Sequence, residues 1–161
     1  MTFQAEQVTP DASDFIAALE VEQLPTDDLA ESGRLFFRFS QNGKLVGFGG
    51  IELCGENILL RSIVVLPQAR GQGIGRLITE SLLKHAAVLG AKDSYLLTTS
   101  ATDFFEAIGF KQIQRDAVPP EILATKQASA LCPSTATFLT SVVSNQPSLL
   151  PQASSTKEII Q

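Results

Sequence analysis

The sequence has few of the residues that build metal sites, disulfides or membrane spans. It contains two cysteines, Cys54 and Cys132, and one histidine, His85. Structural zinc needs about four Cys, His or acidic ligands together, so we expect no metal site and two buried thiols rather than a disulfide. No apolar run reaches the ~18 residues of a membrane span, and residues 1–7 lack the basic and apolar regions of a secretory signal. We therefore expect a cytoplasmic protein that does not bind membranes.

The chain also has fewer basic than acidic residues. The chain has 12 Lys and Arg residues against 17 Asp and Glu residues, with a pI near 4.8. Such a surface repels polyanions, so we expect no nucleic-acid partner. The 161 residues, 44% of them hydrophobic, suit a single domain with a substantial core. Because residues 144–161 are rich in Ser, Pro, Gln and Asn, we predict a domain over residues 1–143 and a flexible tail after it.

A glycine-rich segment is the most informative feature that is present. It reads Gln68-Ala-Arg-Gly71-Gln-Gly73-Ile-Gly75, and it joins an apolar run over residues 58–66 to a helical pattern over residues 74–89. Glycines let the backbone pass close to an anion and direct N–H groups toward it. Their spacing is not that of a dinucleotide site, and no Lys-Ser or Lys-Thr pair follows as in a nucleoside triphosphate loop. The sequence predicts a phosphate-binding turn of neither class.

The periodicity of apolar residues predicts a mixed sheet with flanking helices. A helix is predicted to begin at Thr9-Pro10, a second at residues 26–29, and a hairpin turn at Asn42-Gly43. Gly49-Gly50 predicts a bulge or a close backbone approach, and Gly90 a left-handed cap after the long helix. A parallel strand over 94–98, a helix over 101–108, a strand over 110–115, a helix over 119–127 and a strand over 135–143 complete the prediction.

The pattern Gln68-x-x-Gly71-x-Gly73, preceded by Ile63-Val64-Val65-Leu66-Pro67, resembles the acetyl-CoA signature of the GNAT N-acetyltransferase superfamily. The segment Phe104-Phe105-Glu106-Ala107-Ile108-Gly109-Phe110 resembles a later segment of the same family. The resemblance implies an α/β fold: a mixed, mostly antiparallel sheet of about six to seven strands with one splayed parallel pair, flanked by helices. It also implies acetyl-CoA as co-substrate and a small-molecule amine as partner. It leaves open whether the protein forms a homodimer.

Site residues follow from this resemblance. The backbone N–H near Val65 is the expected oxyanion donor. The coenzyme is expected to contact Ile63, Val64 and Val65 with its pantetheine arm, and Arg70, Gly71, Gln72, Gly73, Ile74, Gly75 and Arg76 with its pyrophosphate.

Two departures from the family pattern bear on the chemistry. Phe105 stands where a tyrosine is frequent, and Leu96-Leu97-Thr98 stands where a catalytic glutamate is frequent, so the general base and acid are unknown. A lysine-type amine spends about 4 kcal/mol becoming neutral near pH 7.4, whereas an α-amine spends under about 1 kcal/mol. A site without a strong base therefore favours a small α-amino acceptor.

Two groups within the family are more similar still. Residues 60–65 and 97–99 resemble the acetyltransferase domain of N-acetylglutamate synthases, and residues 118–134 resemble GNAT proteins associated with arsenic-resistance operons. This implies an amino acid or a glutamate-like analogue as acceptor. Arg61 would hold a substrate carboxylate or, alternatively, form an ion pair on the sheet, and Thr99 is the preferred polar contact. Protein N-terminal or lysine acetylation, and a non-catalytic acetyl-CoA-binding module, are the competing hypotheses.

Overall fold

The computed structural model describes residues 2–131 and 136–143. The strands are β1 (Phe3–Val8), β2 (Arg34–Gln41), β3 (Lys44–Cys54), β4 (Asn57–Val65), β5 (Asp93–Thr98), β6 (Lys111–Ile113) and β7 (Thr137–Val142). The α-helices are α1 (Ser13–Val21), α2 (Ile74–Val88), α3 (Thr102–Ala107) and α4 (Pro120–Leu123). Short 3-10 turns lie at Pro67–Ala69 and Arg115–Ala117, and a π-helical turn at Gln127–Leu131.

The strands form one seven-stranded sheet in the order β1-β2-β3-β4-β5-β7-β6. Every neighbouring pair is antiparallel except β4 and β5, which are parallel. A parallel pair needs a crossover connection, and here α2 supplies it. The predicted mixed sheet with one parallel pair is confirmed.

Helices cover both faces of the sheet. Leu60 packs in the core beneath α2, together with Ile78 and Leu82 of that helix. Its neighbour Leu59 points to the opposite face, where Ile122 of α4 covers it. Phe15 of α1 packs in a third cluster. Within the described part of the chain, no helix is long and apolar enough to cross a membrane.

Local turn chemistry follows the sequence closely. Asn42 and Gly43 have φ angles of +54° and +82° in the β2–β3 hairpin, and Gly90 has a φ of +89° just after α2, so both predictions are confirmed. The predicted irregularity near Gly49 is also present, but β4 carries the extra residue: Ser62 and Ile63 together oppose Gly49. Gly49 itself permits close packing of α2, since a Cβ there would lie 2.9 Å from the Leu82 side chain.

Predictions for the N-terminal third were partly wrong. Residues 3–8, for which no element was predicted, form strand β1, because Phe3 and Val8 are buried and the segment pairs with β2 along its whole length. The helix begins at Ser13, not at Thr9-Pro10, which lies in a turn. Residues 26–29 form no helix, and Asp28 is directed into a buried ion-pair cluster.

At the C-terminal end the predicted elements exist but are shorter. The helix predicted over residues 119–127 is the single turn of α4, separated from the π-helical turn that begins at Gln127. Cys54 is a buried thiol as predicted, and burial raises its pKa to about 11, which makes it a poor nucleophile. Cys132 and the tail over residues 144–161 lie outside the described residues.

Candidate functional site

The glycine-rich segment forms the connection between β4 and α2. Gly71 and Gly73 have φ angles of +78° and +79°, a region that residues with a Cβ rarely occupy, and open space surrounds both. Gly73 directly precedes α2, whose first turn has neither an acidic residue nor a side-chain cap. The first amides of a helix have no acceptor within the helix, and its dipole favours negative charge there. This geometry fits the predicted phosphate site.

Gly75 has a different physical role from the one its sequence pattern indicated. A Cβ at this position would lie 2.9 Å from Cζ of Phe104. Gly75 therefore makes room for the Phe104 ring, which is 39% exposed and packs edge-on against Phe105 with a centroid separation of 5.0 Å. The Phe104 ring forms a wall beside the N-terminus of α2.

The parallel strands β4 and β5 separate soon after they meet. Their pairing covers Asn57 to Leu59 on β4 and Asp93 to Tyr95 on β5. Beyond it, both strands line a cavity of about 860 Å³, which also reaches the phosphate turn. This volume lies within the usual range for small-molecule sites, roughly 300–1,000 Å³.

The backbone of Val65 faces this gap. The N–H of Leu66 donates to the carbonyl of Val46 on the β3 side at 2.9 Å. Successive residues of a strand direct their N–H groups to opposite edges, so the N–H of Val65 is directed toward the β5 side, where the strands have parted. Its position fits the expected oxyanion donor.

Most of the residues predicted to contact the coenzyme line the cavity. They are Ile63, Val64, Val65, Arg70, Gly71, Gly73, Ile74 and Gly75. Gln72 and Arg76 do not: the Gln72 side chain donates to the carbonyl of Gln68 at 3.3 Å, and Arg76 pairs with Glu80 at 3.0 Å. Both side chains are thus engaged within their own segments, and coenzyme contact through the backbone of these two residues stays a prediction.

Arg70 links the phosphate turn to two other parts of the site. Its Nε donates to the carbonyl of Val65 at 2.9 Å, and its Nη2 pairs with Oε2 of Glu22 at 2.8 Å. Glu22 follows α1 and begins a loop over residues 22–25 that also lines the cavity. The Arg70 side chain is half exposed and can therefore meet a ligand.

Arg61 lies at the cavity wall, but its side chain is enclosed by acidic residues. Its side chain has no exposed area and binds Asp28 through two contacts of 2.6 and 2.7 Å and Glu52 through one of 3.0 Å. Arg34 binds the same two carboxylates at 2.9 and 3.2 Å. The structure thus favours the ion-pair alternative over the carboxylate clamp, because both terminal nitrogens of Arg61 are occupied and buried.

The buried charges in this cluster change the acidity of Asp28. Burial acts to raise its pKa, but hydrogen bonds from Arg61 and Arg34 outweigh this effect and hold the pKa at about 2, below the usual 3.8. Asp28 is therefore ionised at any physiological pH. The four-charge cluster of Asp28, Arg34, Glu52 and Arg61 fixes the loop after α1 to the sheet.

The far wall of the cavity is formed by the end of β5 and the segment after it. Thr99 lines the cavity and is exposed, as its predicted role requires. Thr98 has another function: its Oγ1 accepts the N–H groups of Ser100 at 3.3 Å and Ala101 at 2.9 Å. Tyr95 is buried outside the cavity lining, so it is not placed to protonate a leaving group there.

Comparison with known proteins bears directly on this geometry. A sequence profile of the acetyltransferase (GNAT) domain matches residues 32–112, about half of the chain. The chain belongs to the GNAT acetyltransferase family. The matched GNAT segment runs from just before β2 to β6 and includes the phosphate turn and the parted strands.

Two GNAT relatives are similar in sequence. An uncharacterised N-acetyltransferase of Chlorobaculum tepidum is 29% identical over 97 residues, covering 60% of this chain and 62% of that protein. An amino-acid acetyltransferase of Mycobacterium tuberculosis is 33% identical over 81 residues, covering 50% of this chain and 46% of that protein. The chain thus matches less than two thirds of the length of either relative.

The fold is shared with a solved GNAT structure of known ligand content. N-acetylglutamate synthase of Neisseria gonorrhoeae, in complex with coenzyme A and N-acetyl-glutamate, superposes with a TM-score of 0.71 at 16% identity. The match covers 89% of this chain and 35% of that protein. At this identity the comparison establishes the shared fold.

Sequence reasoning missed several residues that the structure brings to the cavity. They are Ser62, Phe104, Gln127 and the loop over residues 22–25. Phe104 lies in a recognised motif, but only the packing against Gly75 shows its role. No local pattern marks Ser62 or the loop over residues 22–25 as part of the cavity. Contacts with distant parts of the chain place both the strand bulge and the loop.

Proposed function

We propose that this protein transfers the acetyl group of acetyl-CoA to the amino group of a small molecule, with an amino acid as the acceptor class. The separation of β4 from β5 directly beside the phosphate turn carries this proposal, since it supplies a slot for the pantetheine arm and an anion site for the diphosphate. The coenzyme A in the related synthase structure supports the choice of co-substrate.

Several groups must contribute to coenzyme binding. A helix dipole supplies only ~0.3–1 kcal/mol per charge, whereas micromolar affinity needs about 8 kcal/mol. Charge-assisted hydrogen bonds contribute roughly 1.5–3 kcal/mol each, so the amides of residues 71–75 and the half-exposed guanidinium of Arg70 together suffice. The N–H of Val65 is left to stabilise negative charge on the thioester oxygen.

The acceptor is proposed to be an α-amine because the described cavity lining holds no side chain that is a strong base. Charged side chains near the cavity are Glu22, Arg61 and Arg70, and all three are engaged in ion pairs. An α-amine with a pKa near 8 loses its proton to water at a cost of under about 1 kcal/mol. A glutamate-like acceptor would not bind Arg61 through its side-chain carboxylate, since Arg61 is enclosed.

A matched pair of glycine variants tests the coenzyme site. Gly73 and Gly90 have φ angles of +79° and +89°, and a Cβ at either position meets no atom within 4 Å. Gly73→Ala and Gly90→Ala should therefore cost similar stability, about 1 kcal/mol each. Only Gly73→Ala should weaken acetyl-CoA binding, measured by calorimetry, because Gly73 lies in the glycine-rich turn at the N-terminus of α2. Equal acetyl-CoA affinities in both variants would overturn the coenzyme site.

A panel of amino acids tests the reaction itself. Release of free coenzyme A thiol from acetyl-CoA is expected with at least one α-amine, and mass spectrometry should find the acetyl group on its nitrogen. Modified peptides without modified amino acids would instead support protein acetylation. Tight acetyl-CoA binding without turnover of any amine would support the non-catalytic module, which Phe105 in place of tyrosine and the absence of a base along Leu96–Leu97 favour.

The resemblance to proteins of arsenic-resistance operons adds a narrower proposal. It rests on the sequence of residues 118–134, part of which lies outside the described residues. Amino-acid analogues that carry arsenic therefore belong in the acceptor panel. Acetylation of ordinary amino acids alone would remove this narrower proposal and leave the broader one.

A further inference from the structure

Ser62 occupies an unusual backbone conformation at the bulge of β4. Its φ is +59°, in the left-handed region that serine rarely adopts. Glycine would occupy this position without strain, and such strained residues cluster at functional sites. The bulge lies just beyond the point where β4 and β5 part, and Ser62 lines the cavity there.

Ser62 is a buried residue, but its hydroxyl has no protein partner in the described part of the chain. Ser62 is 8% exposed, and its hydroxyl forms no hydrogen bond within residues 2–131 and 136–143. The unpaired side-chain atoms that are sealed from solvent in this part of the chain are Nε of Arg34 and Nε of Arg61. The Ser62 hydroxyl is not one of them, so it meets the cavity rather than packed protein.

Other polar side chains of the cavity are engaged or exposed. The Thr98 hydroxyl accepts the N–H groups of Ser100 and Ala101, and Gln127 has an interaction of its own. Thr99 and Ser100 are exposed, so water satisfies their hydroxyl groups. Among the hydroxyl-bearing residues that line the described cavity, Ser62 alone is a buried residue whose hydroxyl has no protein partner.

We propose that Ser62 is a catalytic residue whose Oγ accepts a hydrogen bond from the amino group of the acceptor. This inference rests on the proposed function and names a contact within its site. The hydrogen bond holds the nitrogen lone pair toward the thioester carbon. The lone pair forms the C–N bond, the C–S bond breaks with its electron pair on sulfur, and the proton released from nitrogen reaches the thiolate through water.

The test compares Ser62→Ala and Ser62→Gly with the wild-type protein. Ala keeps the strained backbone and removes only the hydroxyl, whereas Gly removes both the hydroxyl and the strain. Ser40→Ala is the control, because Ser40 is a half-buried serine of β2 that does not line the cavity. Each protein is assayed with acetyl-CoA and the twenty standard amino acids, and acetyl-CoA affinity and melting temperature are measured in parallel.

The expected result is a loss of about ten- to a hundred-fold in kcat/KM for the acceptor in both Ser62 variants. Acetyl-CoA affinity should stay within about two-fold of wild type, Ser62→Gly should melt no lower than wild type, and Ser40→Ala should match wild type. Acceptor kinetics unchanged in Ser62→Ala would overturn the contact, as would a loss of activity explained by weaker acetyl-CoA binding. Absence of turnover in the wild-type protein would remove the proposed function and this contact together.

Discussion

Replacing Asp28 by Asn should lower the free energy of unfolding, because it leaves buried positive charge unbalanced beneath the loop after α1. Asp28 has no exposed side-chain area and receives hydrogen bonds from Arg61 and Arg34 at 2.6 to 2.9 Å. Asn keeps the shape but removes the negative charge, which leaves the two guanidinium groups with Glu52 as their remaining buried counter-ion. Breaking a buried ion pair typically costs about 3–5 kcal/mol, and we expect the free energy of unfolding to fall by an amount near that range at pH 7.

The pH dependence of this loss can be worked out from the pKa of Asp28. A carboxyl whose pKa is lower in the folded state stabilises the fold above its unfolded pKa, and that stabilisation is lost as the pH falls through the folded pKa. The difference between 3.8 and about 2 corresponds to about 2 kcal/mol at pH 7. Nearly half of this amount, about 1 kcal/mol, should be lost by pH 3.

Urea unfolding from pH 7 to pH 3 measures this effect in the wild-type protein and in Asp28→Asn. The difference in the free energy of unfolding between them should narrow by about 1 kcal/mol across that range. Asp14→Asn is the control, because Asp14 pairs with Arg38 at 2.7 Å on the exposed surface, where such pairs contribute about 0–1 kcal/mol. A gap between wild type and Asp28→Asn that stays constant with pH would refute the reasoning.

Four further substitutions test the site and the residues that support it. Gly47→Ala should cost about 3 kcal/mol or more in urea unfolding, because its Cβ would lie 2.2 Å from a backbone carbonyl of β4. Gly75→Ala should displace the Phe104 ring and raise the KM for acetyl-CoA with little change in stability, since alanine is the better helix former. Arg70→Ala should raise the KM for acetyl-CoA, whereas Glu22→Ala, which frees Arg70, should not.

Each of these predictions has a clear contrary result. Wild-type stability in Gly47→Ala would mean that β3 and β4 do not approach as closely as described. An unchanged KM for acetyl-CoA in Gly75→Ala would separate the Phe104 ring from the coenzyme site. Equal effects of Arg70→Ala and Glu22→Ala would show that the ion pair, and not the free guanidinium, supports coenzyme binding.

Local sequence signals were accurate where the chain itself supplies the constraint. The Asn42-Gly43 turn and the Gly90 cap require positive φ angles that few residues tolerate, so the residues mark the conformation. The helical spacing of apolar residues in α2 and the apolar run of β4 likewise predict the bounds of these two elements to within one or two residues. The strand β1 was missed because its middle residues are polar and only pairing with β2 holds it in the sheet.

The sequence by itself determined the mixed sheet, the glycine-rich turn before α2 and the membership in the GNAT family, because turn glycines and apolar periodicity act over a few neighbouring residues. Only the tertiary structure decided what the side chains around the turn do. It enclosed Arg61 between Asp28 and Glu52, gave Gly75 its partner Phe104, and left the Ser62 hydroxyl facing the cavity. These outcomes depend on contacts between residues far apart in the chain, and no local pattern encodes the distance between them.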